Sequence, residues 1–131
     1  NSGIMVVIFP GGGYNVVAMH HEGYDIAEYL AENGINAEII NIHTIKPLDE
    51  DIILKSVSKT GCLVSAEEHN IYGGLGESIS RLLVTKLPSP QEFVGTKDTF
   101  GESGPPSELM NKYCLNSSSI YTSAIDVLKR K

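Results

Sequence analysis

A run of six apolar residues, Ile4–Phe9, ends abruptly at Pro10 and three consecutive glycines. Because successive side chains of a strand point to opposite faces, such a run has to be buried on both sides. Strands of this kind are typical of parallel sheets that carry helices on both faces. The run therefore predicts a central strand followed by a sharp change of chain direction.

The remainder of the chain alternates between helical and extended patterns. Further strands are predicted over Ala37–Ile42, Leu63–Ala66 and Gln91–Gly95. Helices are predicted over Ala18–Asn33, from Pro47 to Gly61, over Glu77–Lys86, over Ser107–Tyr113, and after a cap at Asn116 or Ser117–Ser119. This order predicts a three-layer α/β/α sandwich with a mainly parallel four-stranded sheet in the order 2-1-3-4.

Composition narrows the class of protein. The chain has 131 residues, 41% hydrophobic and 20% charged, which is typical of one globular domain spanning residues 1–131. Its net charge is −6 and its basic residues form no stripe, so we expect no nucleic-acid partner. The run Ile4–Phe9 is too short to span a bilayer and has no basic leader, so we expect a cytoplasmic protein without a membrane partner. Cys62 and Cys114 form no CxxC pair and are predicted to be reduced thiols.

Two loops are predicted to meet at one edge of the sheet, where the first and third strands end. The first loop contains Gly11, Gly12, Gly13 and Tyr14. Its backbone amides are candidates for binding an anion or oxyanion. A tight turn that requires positive φ explains the same glycines. Both interpretations remain open.

The second loop contains Glu67, His69, Tyr72 and Gly74, which are candidates for contacting a ligand or a partner. Glu67 and His69 share one face of an extended chain and can form a hydrogen bond, as in a proton carrier. The alternative is an ion-paired or interface histidine. For the glycines of this loop a turn or packing role is favoured, because Glu77 in the first helical turn would repel a phosphate.

Other motifs do not predict a catalytic centre or a metal site. His20-His21-Glu22 places neighbouring side chains on different faces of a helix and has no third ligand nearby. The serines of Gly76–Ser80 and Gly101–Pro105 do not complete a G-x-S-x-G nucleophile elbow. No catalytic residue and no metal ligand is therefore assigned.

Several separated motifs resemble the C-terminal domain of transketolase over about residues 37–131. They are Asn41-Ile42-His43-Thr44-Ile45-Lys46-Pro47-Leu48-Asp49, Ala66-Glu67-Glu68-His69, Gly73-Gly74-Leu75-Gly76, and Phe100-Gly101-Glu102-Ser103-Gly104 with Pro106, Glu108 and Leu109. The resemblance implies a parent enzyme that transfers a ketol unit with thiamine diphosphate and magnesium. It also implies that the cofactor lies between other domains, and that this domain packs against those domains and supports dimer formation.

Residues 1–36 resemble a different family, the esterases and lipases of the α/β-hydrolase fold. The resemblance rests on Phe9-Pro10-Gly11-Gly12-Gly13-Tyr14, His21-Glu22-Gly23, Ala27-Glu28-Tyr29-Leu30 and Asn33-Gly34-Ile35. It implies an oxyanion role for the amides of Gly12 and Gly13. We therefore hypothesise a hybrid, engineered or recombined, with a junction near Asn36. The alternative is a divergent natural transketolase fragment with an insertion in that loop.

Three functional classes follow from these two resemblances. The chain is expected to be a non-catalytic packing and dimerisation domain of a transketolase, inactive alone and binding no cofactor by itself. The alternatives are an engineered hybrid with no evolved function, and a vestigial esterase that uses the loop Gly11–Tyr14.

Overall fold

Four strands in the described part of the chain form one parallel sheet, as a computed structural model shows. The structure describes residues 3–9, 25–101, 103–105, 108, 111–112 and 116–131. The strands are β1 Ile4–Phe9, β2 Ala37–Asn41, β3 Leu63–Asn70 and β4 Gln91–Thr96. The order across the sheet is β2-β1-β3-β4 and each neighbouring pair is parallel, which confirms the predicted topology.

Helices cover both faces of the sheet. Residues 25–32 are helical and are called α1; the part of the predicted helix before residue 25 lies outside the described residues. The other helices are α2 Glu50–Thr60, α3 Leu75–Lys86 and α4 Ser117–Leu128. Within the predicted segment Ser107–Tyr113, residues 108, 111 and 112 are helical.

The strand β1 divides the apolar interior into two layers. Ile4, Val6 and Ile8 pack on one side with side chains of α1 and α4. Met5 and Val7 pack on the other side with side chains of α2 and α3. This alternation is the reason that every residue from Ile4 to Ile8 is apolar and buried.

Local chemistry sets the ends of the helices. The Asp49 carboxylate accepts a hydrogen bond from the Ile52 N–H and begins α2. Gly61 ends α2 with a φ of 81°, a conformation that glycine adopts at little cost. Asn116 caps α4 by accepting a hydrogen bond from the Ser119 N–H at 2.9 Å, as one of the predicted caps.

Several predicted boundaries are wrong. Pro47 does not open α2, because residues 45–48 form a separate tight turn closed by a bridge between Ile45 and Leu48. The strand β3 was expected to end at Ala66 but continues to Asn70, and α3 begins at Leu75 rather than Glu77. These differences shorten the predicted loop between β3 and α3 from both sides.

Candidate functional site

An irregularity in the sheet shapes the carboxyl end of β3. In its pairing with β4, Ala66 lies opposite Val94 and Asn70 lies opposite Thr96, so β3 carries extra residues in this interval. Bulges of this kind bend a strand and redirect its side chains. The interval contains Glu67 and His69, two of the candidate site residues predicted from the sequence.

Glu67 is a buried carboxylate with a defined structural task. Only 4% of the residue is exposed. Its two carboxylate oxygens accept hydrogen bonds from the backbone N–H groups of Leu75, at 2.8 Å, and Gly76, at 3.0 Å. These donors are the first N–H groups of α3, whose N-cap residue Gly74 has no side chain to satisfy them. Glu67 therefore caps α3 from the preceding strand, where the helix dipole favours a negative charge.

The close approach of Glu67 explains the glycine at position 74. A Cβ atom on Gly74 would overlap the carboxylate of Glu67. A glycine is also required at position 76, where a Cβ atom would lie 2.6 Å from the Phe93 ring and 2.8 Å from the Ser65 hydroxyl. The glycines of this loop thus allow a strand carboxylate and a helix N-terminus to meet.

His69 lies near Glu67 without forming a hydrogen bond to it. The distance between Nδ1 of His69 and Oε2 of Glu67 is 3.9 Å, and 57% of the histidine side chain is exposed. The same Nδ1 atom lies 2.7 Å from the carbonyl oxygen of Asn70. The two side chains therefore share a face, as the sequence predicts, while the shortest contact of the imidazole is to the backbone.

Most other donors of the loop are also engaged within the chain. The Gly73 N–H donates to the Glu77 carboxylate at 2.9 Å, and the Tyr72 N–H donates to the Asn70 side chain at 3.0 Å. The Ile71 N–H donates to the carbonyl of Thr96 at 3.0 Å. With these bonds in place, the loop presents side chains rather than backbone amides to a partner. Tyr72 is the most prominent, with 61% of the residue exposed.

A polar network that the sequence did not reveal supports α3 from β4. The Gln91 amide donates to the Ser65 hydroxyl and to the Gly76 carbonyl, and it accepts a hydrogen bond from the Ser80 hydroxyl. The network holds the first turns of α3 beside the sheet, and no local sequence signal indicates it because Gln91 and Gly76 are 15 positions apart. The missing Ser, Thr, Asp or Asn cap at the start of α3 is the sequence signal for the Glu67 contact, since such a helix start requires a partner from elsewhere in the chain.

The sequence profile of the family described as "Transketolase, C-terminal domain" matches residues 15–120 of this chain. The chain belongs to the transketolase C-terminal domain family. The match begins earlier than the expected residue 37, so the family includes most of the segment that resembles hydrolases. The proposed junction near Asn36 and the esterase-like origin of residues 1–36 therefore find no support.

Individual relatives agree with this assignment. The 6-deoxy-6-sulfo-D-fructose transketolase subunit SqwH of Clostridium sp. (strain MSTE9) is 40% identical over 124 residues, which is 92% of this chain and 38% of that protein. The putative transketolase C-terminal section of Methanocaldococcus jannaschii is 38% identical over 111 residues, 84% of this chain and 34% of that protein. The chain thus spans little more than a third of the length of these relatives.

A solved structure of the same family has the same fold. It is described as a split gene transketolase, inactive beta4 tetramer. The TM-score is 0.85 with 30% sequence identity, covering 98% of this chain and 40% of that one. The transketolase C-terminal fold therefore accounts for nearly the whole chain.

Some predicted site residues cannot be placed. Gly11, Gly12, Gly13 and Tyr14 lie outside the described residues, as do His20-His21-Glu22 and Cys114. Within the described part of the chain, no three His, Cys, Asp or Glu side chains group as metal ligands. No described helix is long and apolar enough to cross a membrane. Cys62 is a buried free thiol, and burial raises its pKa, an effect that Lys131 and Arg130 partly oppose.

Proposed function

We propose that this chain is a non-catalytic assembly unit of a transketolase-type enzyme. It would pack against the part of the enzyme that holds thiamine diphosphate. The observation that carries the proposal is that the buried carboxylate of Glu67, in β3, is hydrogen-bonded to the N-terminus of α3. A carboxylate held by two backbone donors stabilises a fold and is poorly placed to exchange protons with a substrate.

The described residues do not fit the cofactor of the parent family. A diphosphate needs free backbone donors or cations, and its magnesium ion needs a group of oxygen ligands. The donors at the start of α3 are taken by Glu67, and the described residues offer no cluster of metal ligands. We therefore assign cofactor binding and ketol transfer to the remainder of the enzyme and derive no chemical step from this chain.

The surface proposed to contact the partner is the rim formed by Glu68, His69 and Tyr72, at the carboxyl end of β3. All three residues are exposed. A tyrosine with an apolar ring and a polar tip is well suited to a protein interface. In the absence of its partner, the same rim would bring copies of the chain together as a homodimer.

Reconstitution tests this proposal. The chain alone is expected to show neither calorimetric binding of thiamine diphosphate with magnesium nor ketol transfer. Activity is expected when the chain is mixed with the separately expressed polypeptide that supplies the other transketolase domains. Turnover by the chain alone, or full activity of the other polypeptide without it, would overturn the proposal.

A matched pair of variants tests the rim. Tyr72→Ala is expected to weaken association with the partner polypeptide by at least tenfold, whereas Ile52→Ala, which truncates an exposed apolar side chain on α2, should leave it unchanged. Light scattering on the chain alone gives the second readout, since a homodimer formed by the rim should dissociate in Tyr72→Ala only. Equal affinities for both variants would exclude the rim as the interface.

A further inference from the structure

A groove that lies outside the rim runs between the turn at residues 45–48 and the helix α3. Its volume is about 350 Å³. This is within the lower part of the range for small-molecule sites, roughly 300–1,000 Å³. The groove is too small for a second folded element and large enough for a compact ligand.

Both walls of the groove are held in place by the fold. The bridge between Ile45 and Leu48 and the hydrogen bond from the Thr44 hydroxyl to the Pro47 carbonyl, at 2.8 Å, fix the turn. The opposite wall is one stripe of α3, with residues spaced by three and four positions. Leu82 in this stripe is buried and gives the groove an apolar base beside the half-buried Ile45 and Leu48.

The charges along the groove are unlike those of the whole protein. Three cationic side chains and one acidic side chain line it, in a chain whose net charge is −6. One cation, Lys86, is paired with the acid, Glu50, at 2.9 Å. The other two cationic groups, the Lys46 ammonium and the Arg81 guanidinium, make no hydrogen bond or ion pair with any residue that the structure describes.

Hydroxyl groups in the groove are already engaged as donors. Ser78 donates to the Gly74 carbonyl at 3.1 Å, and Thr85 donates to the Arg81 carbonyl at 3.0 Å. A ligand would therefore be held through Lys46, Arg81 and the apolar base. An arginine fork and an ammonium group that line the same groove suit a doubly charged oxyanion, which a phosphomonoester supplies at neutral pH.

We propose that this groove binds a small organic phosphate, with Lys46 and Arg81 holding the phosphate and the apolar base contacting the carbon part. The proposal does not depend on the assembly role given above, because it involves neither Tyr72 nor the partner polypeptide. A carboxylate-bearing segment of a partner protein is the alternative occupant, and it is favoured if the phosphate test below fails.

Titration of the isotopically labelled chain with phenyl phosphate, followed by amide NMR, tests the proposal. Saturable shifts are expected for the amides of Ile45, Lys46 and Leu48 and of residues 78–86. Inorganic phosphate should shift the same amides with weaker affinity, since it lacks the apolar part, and phenol should shift them little, since it lacks the charge. Shifts that are absent from the groove, or that phenol reproduces, would overturn the proposal and leave a protein segment as the occupant.

Substitutions of single cations show which side chains contribute to phosphate binding. Arg81→Gln and Lys46→Gln should each weaken phenyl phosphate binding by about tenfold, the loss expected for one charge-assisted hydrogen bond. Lys97→Gln removes the same charge from an exposed lysine outside the groove and should leave the affinity within about twofold, because salt screens a distant surface charge. All three side chains are exposed, so thermal unfolding should show unchanged stability. Equal weakening by all three would indicate non-specific attraction and refute the site.

Discussion

Removal of the Glu67 carboxylate is expected to destabilise the protein through the first turn of α3. In Glu67→Ala, the N–H groups of Leu75 and Gly76 lose their acceptor in a region where Glu67 itself is 4% exposed. Each hydrogen bond to a charged group contributes about 1.5–3 kcal/mol. The variant also avoids the cost of burying a charge, which offsets part of the loss. A net decrease of about 3 kcal/mol in the free energy of unfolding follows.

Urea unfolding monitored by circular dichroism measures this change. With an m-value of roughly 1.5 kcal/mol/M, the midpoint should fall by about 2 M. Glu67→Gln should lie between Glu67→Ala and the parent protein, because its amide retains one acceptor oxygen but turns an NH₂ group toward a backbone donor. Glu68→Ala is the matched control, since the neighbouring carboxylate is exposed and forms no hydrogen bond or ion pair with any described residue of α3.

Hydrogen exchange gives a residue-level check of the same reasoning. The amides of Leu75 and Gly76 should lose protection in Glu67→Ala more than amides in the middle of α3. If Glu67→Ala and Glu68→Ala unfold within about 0.5 kcal/mol of each other, the usual range for surface changes, the carboxylate does not stabilise α3 as described.

Three other substitutions or conditions give further expectations. Gly74→Ala should lower the free energy of unfolding as much as Glu67→Ala, because the new Cβ atom would displace the Glu67 carboxylate. In urea unfolding, the double variant should lose far less free energy of unfolding than the two single losses added together. Asn116→Ala should lower the free energy of unfolding by about 1 kcal/mol through loss of the α4 cap, with Ser118→Ala as an exposed control on the same helix. Burial raises the pKa of the Cys62 thiol, so as the pH rises this thiol ionises in the unfolded chain before it does in the folded one. The free energy of unfolding should therefore fall above about pH 8.5. Unfolding of Cys62→Ala, measured over the same pH range, should lack this decrease.

The sequence predicts the central strand well because β1 is a short apolar run that ends clearly at Pro10. The run Ile4–Phe9 and the cap residues Gly61 and Asn116 specify their elements through local chemistry, and the structure confirms them. Strand order follows from the general rules of right-handed crossovers rather than from any single residue.

The chemistry of the candidate site was harder to predict because it depends on contacts across the chain. The bulge in β3 is a property of its pairing with β4, which a single strand does not show. Glu67 and Gly76 are separated by nine residues and meet only when strand and helix pack together. The same limit applies to Lys46 and Arg81, which share a groove although 35 residues separate them.

Adjacent side chains of β1 lie in different layers of the protein interior. Val6 belongs to the layer with α1 and α4, while Val7 belongs to the layer with α2 and α3, which also contains Leu82 of the groove. Methyl resonances from these two valines should therefore respond differently when a ligand enters the groove. Two probes on consecutive residues would reveal how far a disturbance on one side of the sheet spreads to the other.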